Sequence, residues 1–215
     1  MKKVYFISGL GADERAFSKL ELPGVTPHHI AWKIPFHHET LEDYATRMRE
    51  EITEPYPTLV GLSFGGIVSI EIAKQIPCKK IILISSIKNT REKPFIFKLS
   101  AAAGLHKLLP TASFSRPNQL LHYFFGVQKH PRVKEMVNSL LTNLNPDYLN
   151  WSIDKIVNWQ NEQVPAHAIH IHGTADKIFP FEKVKADYTI KNGSHFMVWT
   201  KAAEVSAILQ KELNQ

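Results

Sequence analysis

One cysteine, Cys78, stands in a chain of 215 residues, so no internal disulfide can form. A cysteine-poor chain of this size fits a reducing compartment, and the cytoplasm is the expected setting. Long apolar runs are also missing. Lys2 and Lys3 precede Val4 to Ile7, but SGLGADER interrupts that run far short of the ~7–15 residues a signal peptide needs. The longest comparable stretch, Ile81 to Ile87, falls well below the ~18 of a membrane span, so secretion and membrane insertion are both unexpected. Gly/Ser linkers, repeats and low-complexity tracts are absent, and nothing marks a boundary between independent domains. Acidic residues are the minority, 20 against 26 basic, for a net charge of +6. The surplus is local: residues 88–134 carry nine basic side chains and one acid, Glu92. No zinc-finger spacing, RNA-binding signature or basic heptad accompanies them, so nucleic acid is not an expected partner and a solvated basic face is.

What remains is an ordinary globular composition, 44% hydrophobic and 21% charged, at a length that suits one domain. Apolar, β-branched runs recur at 4–8, 29–34, 58–62, 80–87, 168–173 and 187–191, separated by amphipathic segments. Short buried strands alternating with helices predict a parallel sheet of about six strands in an α/β domain with helices on both faces. Leu41, Tyr44, Ala45, Met48 and Ile52 share one helical face, started by Thr40 with Asp43. Further helices are predicted from Phe64 to Ile76 and along Ala202, Val205, Ile208 and Leu209. Residues 88–165 break the alternation with helical patterning only. Their clearest helix carries Val133, Met136, Val137, Leu140, Leu141 and Leu144, and the next is capped by Asn145 with Pro146 in its first turn. This reads as a helical insertion, a lid, within a single domain spanning 1–215. The stretch FIFKLSAAAGLHKLL is expected to pack over the sheet; resting on a lipid surface is the weaker alternative.

The sharpest chemical signal is GLSFGG, Gly61 to Gly66, between the strand TLVGL and a helix. A serine at such a corner takes a strained backbone, and Gly61 and Gly65 supply the small neighbours it requires. The Ser63 hydroxyl then stands above the sheet, with the helix N-terminus at Phe64 directed at it. Outside that setting, the same letters are an ordinary glycine-rich turn.

On these residues the sequence resembles the α/β-hydrolase superfamily over nearly its whole length. The resemblance implies the chain order nucleophile, acid, histidine. Asp176, in HGTADKIFP, follows a late strand, and His195, in DYTIKNGSHF, follows the last one. The other ten histidines lie in early loops, in the insertion, or on the strand before Asp176. The adjacent pairs His28–His29 and His37–His38 have no acid or thiol partners at ligand spacing, so they read as surface residues and no metal site is expected. The resemblance further implies an oxyanion hole built from the N–H groups of Phe64 and of Leu10 in SGLGAD. Ser8-Gly9 stands there in place of the family's usual His-Gly. The family's two N-terminal strands are not expected in this sheet, and 18 residues between Asp176 and His195 leave room for one short helix and a strand.

The implied activity is hydrolysis of a small ester by a Ser63–Asp176–His195 triad without metal or organic cofactor. Thioester hydrolysis, carbon–carbon hydrolysis and perhydrolysis use the same triad. A ligand-binding protein that keeps the fold without turnover is the reading from a different class. If the basic residues of 88–134 line the entrance, they favour an anionic substrate. Cys78, between a helix and a strand, reads as structural.

Overall fold

A computed structural model describes residues 1–108, 119–142 and 144–214. Six strands form one sheet in the order β2-β1-β3-β4-β5-β6, and every pairing is parallel. They are β1 (Lys2–Ile7), β2 (Val25–Ile30), β3 (Thr58–Leu62), β4 (Lys80–Ile84), β5 (Ala168–Gly173) and β6 (Tyr188–Ile190). The helices are α1 (Leu41–Arg49), α2 (Phe64–Ala73), α3 (Phe95–Ala103), α4 (Gln119–Phe125), α5 (Pro131–Leu141), α6 (Pro146–Asn158), α7 (Met197–Thr200) and α8 (Ala202–Leu213).

The central strands read as unbroken apolar runs because both of their faces are covered. Alternate residues enter two cores. Val4, Phe6, Val60, Leu62, Ile82 and Ile84 pack with Val205 and Leu209 of α8 and with Val137 and Leu141 of α5. Tyr5, Ile7, Leu59, Ile81 and Leu83 pack with α1 and α2 on the other side. Each fully buried aliphatic side chain contributes about 1.5–3 kcal/mol of transfer free energy, so these layers are the main support of the sheet. Helix α1 is amphipathic, burying Leu41, Tyr44, Ala45 and Met48, and Thr40 caps it by accepting the Asp43 N–H. Helix α2 is mostly apolar and buried from Phe64 to Ile72, packed on the sheet and α1; its buried polar residues are partnered, Ser69 donating to Gly65 O and Glu71 accepting from Trp159 and Lys74. At α6 the Asn145 side chain accepts the Asp147 and Tyr148 N–H groups while Pro146 occupies the first position.

The second strand is Val25–Ile30, earlier than the expected 29–34. It is an edge strand, paired only with β1 through Lys2↔Val25 to Ile7↔Ile30, and it is half exposed, so it lacks a buried strand's apolar signature. Its edge position also tolerates Pro27. His28 and His29 consequently lie on this strand, half-buried, rather than on a surface loop, and the His29 ring packs against Phe6 and Phe17. Strand β4 stops at Ile84 because Ser85 turns to φ 47°.

Among the described residues, 88–165 contain α3 to α6 and no strand. Helix α3 rests on α6, with no residue fully buried, and turns Phe97 toward Phe179 and the core cluster on that side of the sheet. Among the described residues no helix is long and apolar enough to cross a membrane.

Candidate active site

The loops that leave the carboxyl ends of β1, β3, β5 and β6 converge at one point above the sheet. Ser63 makes the whole corner between β3 and α2, at φ 53° and ψ −117°. A non-glycine residue held there costs about 1–3 kcal/mol, and the surroundings over-determine it. Its N–H donates to Ile84 O at 2.9 Å, and its carbonyl accepts from the Gly66 N–H at 2.9 Å and the Ser86 hydroxyl at 2.7 Å. A Cβ at Gly61 would lie 2.5 Å from Gly65 O and from Gly66 Cα; one at Gly65 would overlap the carbonyl oxygens of Ile7 and Ser8.

Asp176 follows β5, and the loop after β6 is laced to it: Thr174 N–H donates to Ile190 O at 3.0 Å and Ala175 N–H to Gly193 O at 2.9 Å. Asp176 Oδ1 accepts the N–H groups of Ile178 and Phe179, each at 2.9 Å. Its Oδ2 lies 2.8 Å from His195 Nδ1, and His195 Nε2 lies 2.9 Å from Ser63 Oγ. The structure therefore brings Ser63, Asp176 and His195 into one hydrogen-bonded row. Burial opposes ionisation of Asp176, but the adjacent His195, its hydrogen bond, His172 and the Phe179 N–H outweigh that penalty and hold the carboxyl below its usual range. An ionised Asp176 accepts the Nδ1 proton, which leaves Nε2 to accept the serine hydroxyl.

Leu10 follows the β1 loop and lines a cavity of about 560 Å³ together with Ser63 and His195. Phe64 occupies the first position of α2 and is fully buried. The remaining wall is largely apolar: Phe97, Leu121, Phe125, Leu140, Leu141, Leu149, Ile153 and Ile156 come from 88–165, and Ile178 and Phe179 from the loop after β5. Phe125 and Phe179 flank the His195 ring, each at 5.7 Å between centroids.

Several positions in the insertion differ from expectation. None of the basic residues of 88–134 whose side chains are described lines this cavity; Lys107 lies outside the described side chains and Arg116 outside the described residues. Lys93 is not on a solvated face either. It is buried and donates to Val157 O at 2.8 Å, and burial followed by the charge of Lys98 lowers its pKa. The apolar wall has no signature in any one segment because it is assembled from separate helices.

Sequence reasoning also passed over a neighbour of Asp176. His172, inside β5, donates from Nε2 to Phe179 O at 2.8 Å and lies 3.6 Å from Asp176 Oδ2. Its Nδ1 accepts from His170 Nε2 at 3.2 Å. Burial lowers the pKa of both imidazoles, that of His170 well below its usual value, so they form a neutral pair under the acid. Alternating His-Ile-His-Gly gives no sign of this, since the pattern does not show that His172 meets Asp176 and His170 meets His172. Among the described residues no group of three or more His, Cys, Asp or Glu is placed to hold a metal ion. Cys78 is half-buried, and burial raises its thiol to about 11.

A parallel six-stranded sheet with a hydroxyl, an imidazole and a carboxylate in a row above its carboxyl edge is the arrangement of the α/β class of hydrolase folds. The sequence profile of the alpha/beta hydrolase family matches residues 4–208, and the chain belongs to that family. No curated protein sequence matches it. Among solved structures, a bromoperoxidase from Bacillus anthracis superposes with a TM-score of 0.71 at 16% identity, over 100% of this chain and 92% of its own. An esterase from Exiguobacterium antarcticum gives 0.72 at 13% identity, over 100% and 92%. An enol-lactonase from Burkholderia xenovorans LB400 gives 0.68 at 14%, again over 100% and 92%. At such identities the likeness is one of fold.

Proposed function

We propose that the protein is a serine hydrolase that cleaves carboxylic esters of apolar acids. The observation that carries this reading is the row from Ser63 Oγ through His195 to Asp176, opening onto an apolar cavity. Ser63 Oγ attacks the ester carbonyl while His195 Nε2 takes its proton. The imidazolium gives that proton to the departing alcohol, leaving an acyl-serine. Water, deprotonated by the same nitrogen, then attacks the acyl carbon and releases the acid. Asp176 holds the tautomer and stabilises the imidazolium. The developing oxyanion is met by the N–H groups of Leu10 and Phe64. Residues 88–165 act as a lid that shapes the acyl site, and every step uses groups of the chain itself.

The wall favours a neutral acyl chain over an anionic one, because it is largely apolar, with Phe97, Leu140 and Ile156 prominent, and Lys177 is the one Lys or Arg among its described residues. The test is fluorophosphonate labelling together with a panel of p-nitrophenyl esters of rising acyl length. Rapid labelling and turnover of neutral acyl esters, both abolished in Ser63→Ala, are expected. A folded wild-type protein that neither labels nor hydrolyses any ester would refute the reading and leave a ligand-binding protein.

A further inference from the structure

The side chain that touches both residues proposed to supply the oxyanion amides belongs to neither of the segments that carry them. Trp32 stands beyond β2, outside the motifs that surround Ser63, Asp176 and His195. Its indole N–H donates to Gly9 O at 3.1 Å, and the Ala12 N–H donates to the same oxygen at 2.9 Å. Gly9 O and the Leu10 N–H belong to one peptide plane. In a trans peptide these two bonds point in opposite directions, so holding the oxygen on one side turns the Leu10 N–H to the other. Gly9 itself lies against the serine: a Cβ added there would sit 3.5 Å from Ser63 Cβ.

The same indole stacks on the Phe64 ring, with centroids 5.2 Å apart and planes 16° from parallel. Phe64 carries the second amide. Tyr148 of α6 packs on Trp32 at 5.8 Å, so the indole is braced from the helical segment as well. Two amides from different loops must keep a fixed separation if both are to reach one oxygen at about 2.7–3.1 Å. One rigid bicyclic ring that bonds to the first peptide and stacks on the residue of the second meets that requirement.

We propose that Trp32 is a positioning residue that sets the geometry of the oxyanion hole formed by the Leu10 and Phe64 amides; this rests on the serine-hydrolase reading. Trp32→Phe keeps a smaller ring on the side of Phe64 and Tyr148 and removes the indole N–H. Trp32→Ala removes both contacts.

The experiment measures kcat and KM for p-nitrophenyl butyrate per active site, with sites counted by the endpoint of fluorophosphonate labelling, alongside Tm and the affinity for an alkylboronic acid. Losing an oxyanion donor outright costs about 10²–10³ in kcat; disturbing its aim should cost less, about tenfold for Trp32→Phe and about a hundredfold for Trp32→Ala. KM should stay within about twofold, and boronate affinity should fall in proportion to kcat/KM, since the tetrahedral adduct uses the same amides. A merely structural role would lower Tm and the number of labelled sites while leaving kcat per site unchanged. Trp32→Phe with kcat per site within about twofold of wild type, or with only KM altered, overturns the inference. Wild-type protein that fails to label overturns the serine-hydrolase reading instead, and the inference falls with it.

Discussion

Gly65→Ala puts the steric account of the Ser63 corner at risk with one methyl group. The added Cβ would overlap the carbonyl oxygens of Ile7 and Ser8, and both belong to backbone that cannot swing aside as a side chain could. Ile7 is the last residue of β1 and pairs with both β2 and β3. A comfortable C···O separation is about 3.3–3.6 Å, so α2 and β1 must part by roughly an ångström. Overpacking of this kind costs about 1–3 kcal/mol of stability. The chemical penalty is separate. The shift is comparable to the margin within which Ser63 Oγ and His195 Nε2, now 2.9 Å apart, remain hydrogen-bonded. Misplacement by about 1 Å lowers rate by about a hundredfold, equivalent to ~2.7 kcal/mol of barrier. The assay pairs calorimetric Tm with kcat per labelled site on a short-chain ester. Gly24→Ala is the control: Gly24 has φ 78°, nothing near its Cβ direction, and lies at the opposite end of the sheet. It should lose about 1–2 kcal/mol of stability from backbone strain alone, with kcat unchanged. A Gly65→Ala enzyme with wild-type kcat would show that the corner does not depend on that contact.

Other outcomes follow from the same geometry. Asp176→Asn should keep its shape but favour the wrong imidazole tautomer, lowering kcat by about 10⁴; a loss below tenfold would count against Asp176 as the orienting acid. Acid should destabilise the fold through His170 and His172, whose folded pKa values are depressed by burial. As pH falls below the ordinary histidine value of ~6.5, the unfolded chain takes up protons that the folded chain refuses, so stability declines by up to ~1.4 kcal/mol per pH unit for each such group. Tm measured between pH 7.5 and 5 should drop less steeply in His170→Asn, and an unchanged slope would rule this out. Because none of the described Lys or Arg side chains of 88–134 lines the cavity, the kcat/KM ratio of an anionic to a neutral ester should change by less than about twofold between about 0.05 and 0.5 M salt, a range over which exposed charges become screened; a strong salt dependence of that ratio would restore them to the entrance.

The features legible in the sequence are those in which a local rule and a global one coincide. Ser63 is visible because a strand, a corner and a helix follow each other within a few residues. The strands are visible where both faces are buried, as in β3 and β4, and β2 is not, because one of its edges and half of its side chains face water. Asp176 and His195 could be ordered along the chain but not joined, since their meeting depends on Gly173 and Gly193 lying backbone to backbone. Lys93, Trp32 and His172 carry no local signal. Each is defined by what another segment places beside it: Val157 O, Gly9 O and Asp176, respectively.

Strands β4 and β5 are neighbours in the sheet although residues 85–167 intervene between them. Pairings this distant in sequence repay their loop-closure entropy late and slow the folding of parallel sheets. The segment through β4 closes over shorter separations. Chain order therefore places Ser63 and its corner ahead of the long segment that must be made before β5 can pair, and a nascent chain that ends before β5 holds the Ser63 hydroxyl with neither Asp176 nor His195 beside it.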